Sequence, residues 1–447
     1  MKNVPRLPLT ERVARAPKSS ALRSISLVHI NHLVDDVLLL NSLLEPLVAE
    51  LIFVPVPYST RKAPSPTGYH VVTPTTHDNL QVAMANAVQS AIRLIAEGTK
   101  NDAILLSDGG YQFVRGDLVP LAETHRVNIL GTVEQTVAGL RTARRFAEST
   151  GGFPHPVLSV ARSIVKTRFE NHYIADRIVE EMSLLLYASD QFVSHRSAVL
   201  LGYGILGRAL AHRLRAQHCD VTVFEPNDQV RQAAAADGFQ TITEMSAMQF
   251  DCEPIVVGAS GHRSFGERAF SQFLASSAKT LTIVSASSAR TEFADILLPL
   301  ENEPHVELRG LGVERCDFGT EYTFDFQGVS RRVVCIADGL PVNFFRAASE
   351  SLPCSIIDLV NAELVSLVTG LANEASTLEP RIHLLGHGMP ASVTVDERRL
   401  FQQWCEEHAA AARIVKRGGL DAMGIHPCES LLSAALLAPL AGDSGSS

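Results

Sequence analysis

"AVLLGYGILGRALAHRLRAQHCDVTVFEPND", Ala198 to Asp228, lies near the middle of the chain and reads as strand, tight turn, helix and second strand. The apolar run Ala198 to Leu201 leads straight into Gly202, Gly204 and Gly207, and Leu206, Leu210 and Leu214 then recur at helical spacing. In a turn of this type the first glycine permits the sharp bend. The second lets the backbone approach a pyrophosphate, and the third lets the helix lie close on its strand. The helix's positive N-terminal end then faces the phosphates. The second strand, VTVFE, ends at Glu225, where a carboxylate accepts hydrogen bonds from a ribose and repels a 2′-phosphate. NAD, rather than NADP, is therefore the expected cofactor of Gly202, Gly204, Gly207 and Glu225. Three glycines can also serve strand–helix packing alone, but the preceding strand, following helix and acid together favour a nucleotide.

Outward from this stretch, PIVVGAS, TLTIVSAS and RRVVCIADG supply further strands, enough for a full Rossmann-type sheet. Upstream, ISLVHI, ELIFVPV and DAILLSD alternate with the helical patterns LVDDVLLLNSLLEPLVA and NLQVAMANAVQSAIRLIAEG, which implies a second parallel sheet with crossover helices. A long helix, TRFENHYIADRIVEEMSLLLYASD, leads into the glycine turn, and SIIDLVNAELVSLVTGLANEA returns as helix after Asn343. The fold class expected is α/β.

A chain of 447 residues exceeds what one core usually supports. A formal charge of −9 argues against a protein that grips nucleic acid, and a small-molecule ligand is the better default. The basic first 24 residues lack a signal-type apolar core and read as a flexible arm, so a cytoplasmic location is expected. Leu431 to Ala441 is too short to span a bilayer, and no membrane association is expected. Seven scattered cysteines without C-x-x-C pairs favour reduced thiols over disulfides or zinc. His383 and His387 have i,i+4 spacing, but two glycines and no third ligand nearby argue against a metal site.

Five segments in order, ILLSDGG (Ile104–Gly110), GTVEQTVAG (Gly131–Gly139), SVARSIVKTRFENHY (Ser159–Tyr173), the G-Y-G-x-x-G turn and ADGLPVNF (Ala337–Phe344), resemble those of the S-adenosylhomocysteine hydrolase family. The resemblance implies a Rossmann-type NAD domain inserted into a second α/β substrate domain that the C-terminal region completes. The expected boundaries are a 1–24 arm, a substrate domain over 25–190, an NAD domain over 191–346, and a substrate-domain return with tail over 347–447. It also implies a homo-oligomer, dimer or tetramer, acting on a nucleoside. In that family, NAD⁺ transiently oxidises a ribose 3′-hydroxyl, the ketone acidifies C4′–H, the 5′ substituent leaves or adds, and the hydroxyl is restored.

Carried over by motif, Lys166, Asp108 and Glu170 are the candidate catalytic residues, Lys166 as general base at the 3′-hydroxyl. Burial near a cationic nicotinamide favours the neutral amine such a role requires. Asp35, His32, Glu134 and Gln135 are candidate substrate contacts, and Thr136, Asn171 and Asn343 join the glycines and Glu225 around the cofactor. Taken alone, Lys166 reads as a solvated lysine, Asp108 as a turn residue before two glycines, and Asn343 as a turn cap.

Departures from the family pattern are equally specific. Asn31 and Leu33 stand where the family has a His and an adenine-binding Thr, with His29 or His32 as substitutes after a shift. Gln135 replaces the second acid of the family's pair, and SASSAR (Ser285–Arg290) and SESLP (Ser349–Pro353) replace segments that carry His. No Lys follows Lys416 and no Tyr follows Tyr322, so the family's C-terminal cofactor clamp has no counterpart. These differences shift weight from hydrolysis of S-adenosylhomocysteine toward a related nucleoside, by 5′-dehydration or epimerisation. A net nucleoside dehydrogenase and a non-catalytic NAD-sensing relative are the alternatives.

Overall fold

The computed structural model describes residues 6–417 apart from 60–67, 76–78, 99, 249, 251–252, 288, 303–307 and 346–349. The chain divides into two compact units, Met1–Glu170 with Ala347–Met423, and Asn171–Arg346.

In the first unit, α1 (Pro8–Ala14) precedes β1 (Ser26–His32), α2 (Asp35–Leu44), β2 (Glu50–Val56), β3 (His70–Val71), α3 (Leu80–Glu97) and β4 (Asp102–Ser107). Then follow α4 (Leu118–Thr124), β5 (Asn128–Glu134), α5 (Val137–Thr150) and β6 (Val157–Ser159). The strands lie in the order β6-β5-β4-β1-β2-β3, all parallel, as crossover helices require. Ile30 pairs with Ser107, Ser107 with Glu134, and Glu134 with Ser159, so the strands' C-terminal ends form one row. β1 is buried along its whole length, and Val28, Ile30, Ile52, Val54 and Leu105 pack there against Val88 and Ile92 of α3.

The second unit opens with α6 (Asn171–Ala188) and continues through β7 (Ser197–Leu201), α7 (Ile205–Ala216), β8 (Asp220–Phe224), α8 (Asp228–Ala236), β9 (Gln240–Ile242) and β10 (Ile255–Gly258). α9 (Glu267–Ala275), β11 (Thr280–Ser285), α10 (Ala294–Asn302), β12 (Arg309–Cys316), β13 (Gly319–Phe326) and β14 (Val329–Pro341) complete it. The parallel part runs β9-β8-β7-β10-β11-β14, which in chain order is the 3-2-1-4-5-6 arrangement of a Rossmann sheet, and β12 and β13 extend it antiparallel. The expected strands are all present; β12 and β13 read poorly in the sequence because exposed Glu314, Arg315 and Thr323 interrupt their apolar pattern.

The chain then re-enters the first unit with α11 (Cys354–Glu374), β15 (Ile382–Leu384), α12 (Glu397–Glu407) and α13 (Ala409–Arg417). β15 pairs parallel with β6 and closes that edge of the first sheet. Helix α11 has the length and apolarity of a bilayer-crossing helix, but most of it is buried inside the first unit.

Two expectations are corrected. Residues 6–24 are not a flexible arm: α1 and the 3₁₀ turn Pro17–Ser24 are packed, with Leu7, Leu9 and Leu22 buried. Asp358 on α11 holds the first turn of α1, accepting hydrogen bonds from the amides of Leu9 and Thr10 (both 2.9 Å) and from Thr10 Oγ1 (2.7 Å). A carboxylate at those otherwise unpaired N-terminal amides stabilises the helix, and it lies too far along the chain for local pattern reading to find. The first unit also ends at Glu170 rather than 190, because Ala175, Ile178, Met182 and Leu186 of α6 pack with Leu200, Leu210 and Val223 in the second unit's core. The C-terminal tail expected after Arg417 lies outside the described residues.

Candidate functional site

In the second unit, the bend after β7 forms as the glycine spacing implies. Gly202 has φ +95°, a conformation open to glycine, and its amide donates to Phe224 O at 2.8 Å. A Cβ on Gly207 would lie 2.2 Å from Gly202 O, so that glycine is required for the helix to meet the strand. A Cβ on Gly204, at the N-terminus of α7, would meet nothing within 4 Å, leaving the approach to the helix end open. Glu225 is largely buried; one carboxylate oxygen accepts from the Tyr203 amide (2.9 Å) and the other from the Asn227 amide (2.9 Å). Each oxygen retains a lone pair for a ribose hydroxyl. The open helix end, the glycine packing and this acid fit a dinucleotide.

Asn171 heads α6, and Asn343 is buried in the 3₁₀ turn Val342–Phe344 after β14. One functional-looking acid escaped the sequence reading. Glu292 is fully buried and accepts from the Gly261 amide (3.0 Å) and from Ser287 Oγ (2.6 Å), joining the loops after β10 and β11. A Cβ on Gly258 would stand 2.8 Å from its Cγ; the glycine ending the strand IVVG was the only local signal.

In the first unit, the row of strand ends gathers most of the remaining candidates. Asp108 follows β4 and accepts from Gln135 Nε2 at 2.6 Å, so the Gln that replaces an acid orients the acid that is kept. The charge of Asp108 acts on His32, Tyr58, Tyr111 and Glu134 around it. His32 ends β1 with its ring 5.3 Å from that of Tyr58, and burial pushes its pKa down, favouring a neutral imidazole. His29 is further inside: it bonds Asn41 (2.5 Å) and Asn31 (3.1 Å), and burial lowers its pKa to about 4, which marks it as a core residue.

Glu134 and Thr136, expected at substrate and cofactor, brace the chain here. Glu134 Oε1 accepts from the Thr136 amide (2.8 Å), Thr136 Oγ1 (2.6 Å) and the Gly109 amide (3.2 Å). Thr136 caps α5 by accepting from the Gly139 amide at 2.9 Å. A Cβ on Gly139 would stand 2.1 Å from the Glu134 carboxyl carbon, so glycine is needed beside the buried acid. Burial raises the Glu134 pKa to about 7; Asp108 adds to the rise and the Thr136 hydroxyl opposes it.

Asp35 is half-buried at the start of α2, while its neighbour Asp36 takes the inward face with Leu40 and Leu44. Asp36 accepts from the Ser351 amide (2.8 Å) and hydroxyl (2.7 Å), tying the C-terminal return to α2, and burial raises its pKa to about 6. The i,i+4 spacing of Asp36, Leu40 and Leu44 could have singled it out.

Lys166 and Glu170 lie on a π-helical turn, Val165–Glu170, with Lys166 Nζ 2.5 Å from Glu170 Oε2 and both side chains mostly buried. The wide π turn is a local departure from helix geometry of the kind often found at functional sites. The pair is an ion pair by distance, and Asp108, held by Gln135, is a second carboxylate of the same unit. His383 is buried in β15 with Nε2 2.9 Å from Glu379 O, and among the described residues no group of three His, Cys, Asp or Glu could hold a metal ion.

Together the two sheets define an α/β protein with a Rossmann-type unit inserted into a second parallel-sheet unit. The chain is a divergent relative of the adenosylhomocysteinases. It is 27% identical over 285 residues to adenosylhomocysteinase of Thermoplasma acidophilum, covering 63% of each chain. With S-inosyl-L-homocysteine hydrolase of Methanocaldococcus jannaschii it shares 23% identity over 272 residues, 60% of each chain. These matches span less than two thirds of the relatives' length. No family model matches the chain. Among solved structures, a pyruvate reductase of Chlamydomonas reinhardtii overlays with a TM-score of 0.42 at 11% identity, covering 80% of this chain and 99% of that one.

Proposed function

We propose that this protein is an NAD-dependent enzyme that reversibly oxidises the 3′-hydroxyl of a nucleoside ribose so that a 5′ substituent can leave or add. NAD⁺ at the Gly202 turn would supply the oxidising capacity for the secondary alcohol. Lys166, as a neutral amine, accepts the hydroxyl proton, and Glu170 beside it stabilises the ammonium that forms. Asp108, oriented by Gln135, accepts the C4′ proton that the 3′-ketone acidifies and later returns it. The observation that carries this reading is the mostly buried Lys166–Glu170 ion pair, Nζ to Oε2 2.5 Å, which sets an amine beside a carboxylate on the π turn.

The 5′ substituent is a homocysteine thioether, of the kind named in the S-inosyl-L-homocysteine hydrolase relative, or a related group. Leu33, buried at the end of β1, offers no hydroxyl to an adenine, and this supports a base or leaving group other than the usual one. The deciding experiment compares wild type with Lys166→Met on added nucleosides. Wild type should show reduced-nicotinamide absorbance and exchange C4′–H with deuterated water; the variant should retain bound cofactor and lose both signals by about a hundredfold or more. Stoichiometric accumulation of reduced nicotinamide with product would indicate a net dehydrogenase. Neither signal with any nucleoside would refute the proposal.

A further inference from the structure

Against the turn that carries Lys166 stand two acids from the C-terminal return, Glu363 on α11 and Glu397 at the start of α12. Glu363 is fully buried and Glu397 nearly so. Ser163 Oγ donates to Glu363 Oε2 at 2.9 Å and accepts the Lys166 amide at 3.0 Å. Glu397 Oε1 accepts the amides of Ile164 (2.5 Å) and Val165 (3.3 Å). The backbone amides of residues 164, 165 and 166 therefore all end on these acids, directly or through Ser163.

The other oxygen of Glu363, Oε1, is buried and no donor faces it. Glu397 stands close enough to act on it. Two buried carboxylates in contact do not both stay charged, and a shared proton satisfies the orphaned oxygen by turning it into a donor. Burial, then Glu397, push the Glu363 pKa well above the carboxylate range; Lys166 opposes this. Burial also raises Glu397, where His387 acts in the opposite sense.

We propose that Glu363 and Glu397 are positioning residues for Lys166, a carboxyl pair holding one proton that clamps the turn from Ser163 to Lys166 and so fixes the amine opposite Glu170. The proposal rests on the reading of Lys166 as the base at the ribose hydroxyl. Glu363→Gln should preserve the clamp, since the amide oxygen accepts from Ser163 and the NH₂ donates to Glu397. Glu363→Leu removes both bonds.

The test is competitive trace acetylation of the full-length protein, with Lys166 labelling measured against Lys279 by peptide mass spectrometry. The loss of a buried partner should open the turn and raise relative Lys166 labelling about tenfold or more in the Leu variant, with the Gln variant within about twofold of wild type. In turnover, the Leu variant should lose about a hundredfold in kcat with KM little changed, and Gln should restore it. If Glu363→Leu does not fold, Glu397→Ala removes the acceptor of Ile164 and Val165 and carries the same expectations. A folded Leu variant with unchanged labelling, or a Gln variant as damaged as Leu, overturns the proposal. Absence of turnover in wild type would overturn the assigned reaction instead, leaving the labelling result to decide the clamp.

Discussion

Replacing Glu134 by Gln isolates the energetic consequence of burying an acid at the end of β5. The carboxyl is raised from 4.5 to about 7, chiefly by burial. Between those values the folded chain binds more protons at this site than the unfolded chain does, so wild-type stability falls as pH rises through that window. A displacement of that size corresponds to about 3 kcal/mol when fully developed. Gln cannot ionise, and its carbonyl oxygen can keep the bonds from Thr136 and the Gly109 amide, so the variant escapes the loss. Urea unfolding of both proteins at pH 5 and pH 8, followed by circular dichroism, measures the difference, and contributions such as that of Asp36 cancel. The variant should gain about 2 to 3 kcal/mol relative to wild type between the two pH values. A difference flat to within about 0.5 kcal/mol would show that Glu134 is not raised and that its burial is compensated in a way the hydrogen bonds do not explain.

Gly207→Ala places a methyl group 2.2 Å from Gly202 O, and calorimetry should find NAD binding lost, whereas retained affinity would rule out this turn as the cradle. Wild type should bind NAD at least tenfold more tightly than NADP, about 1.4 kcal/mol, and equal affinities would contradict the role assigned to Glu225. Asp358→Ala strips the acceptor from Leu9, Thr10 and His408 together; it should cost about 3 kcal/mol or more and expose residues 6–24 to protease, and protection equal to wild type would contradict the clasp.

The sequence was most readable where local rules act alone. The turn at Gly202 combines a strand, three glycines at required positions and an acid one strand later, and each has a short-range cause. The same holds for the long apolar periodicities of α3 and α11. β5 was harder, because NILGTVE includes Asn128 and Gly131, and the glycine is there to admit Pro156 O and Leu371. The Asp358 clasp, the Asp36–Ser351 tie and the two acids beside Lys166 join positions hundreds of residues apart, which no window along the chain compares. Glu134 and Thr136 were found by motif, but only the geometry reveals that their polar atoms hold the turn at Gly109.

β15 pairs with β6 from more than two hundred residues downstream, and this sets an order of events on the ribosome. Among the described residues the second unit is continuous in sequence and can fold once its last strand emerges, whereas the first, begun earlier, cannot close. At about 5 to 20 residues per second, the edge of β6 waits on the order of 10 to 45 s for Ile382–Leu384. During that interval an open strand edge and the apolar surface destined for α11 face the cell, which makes the half-made first unit the species most exposed to aggregation and most in need of a chaperone.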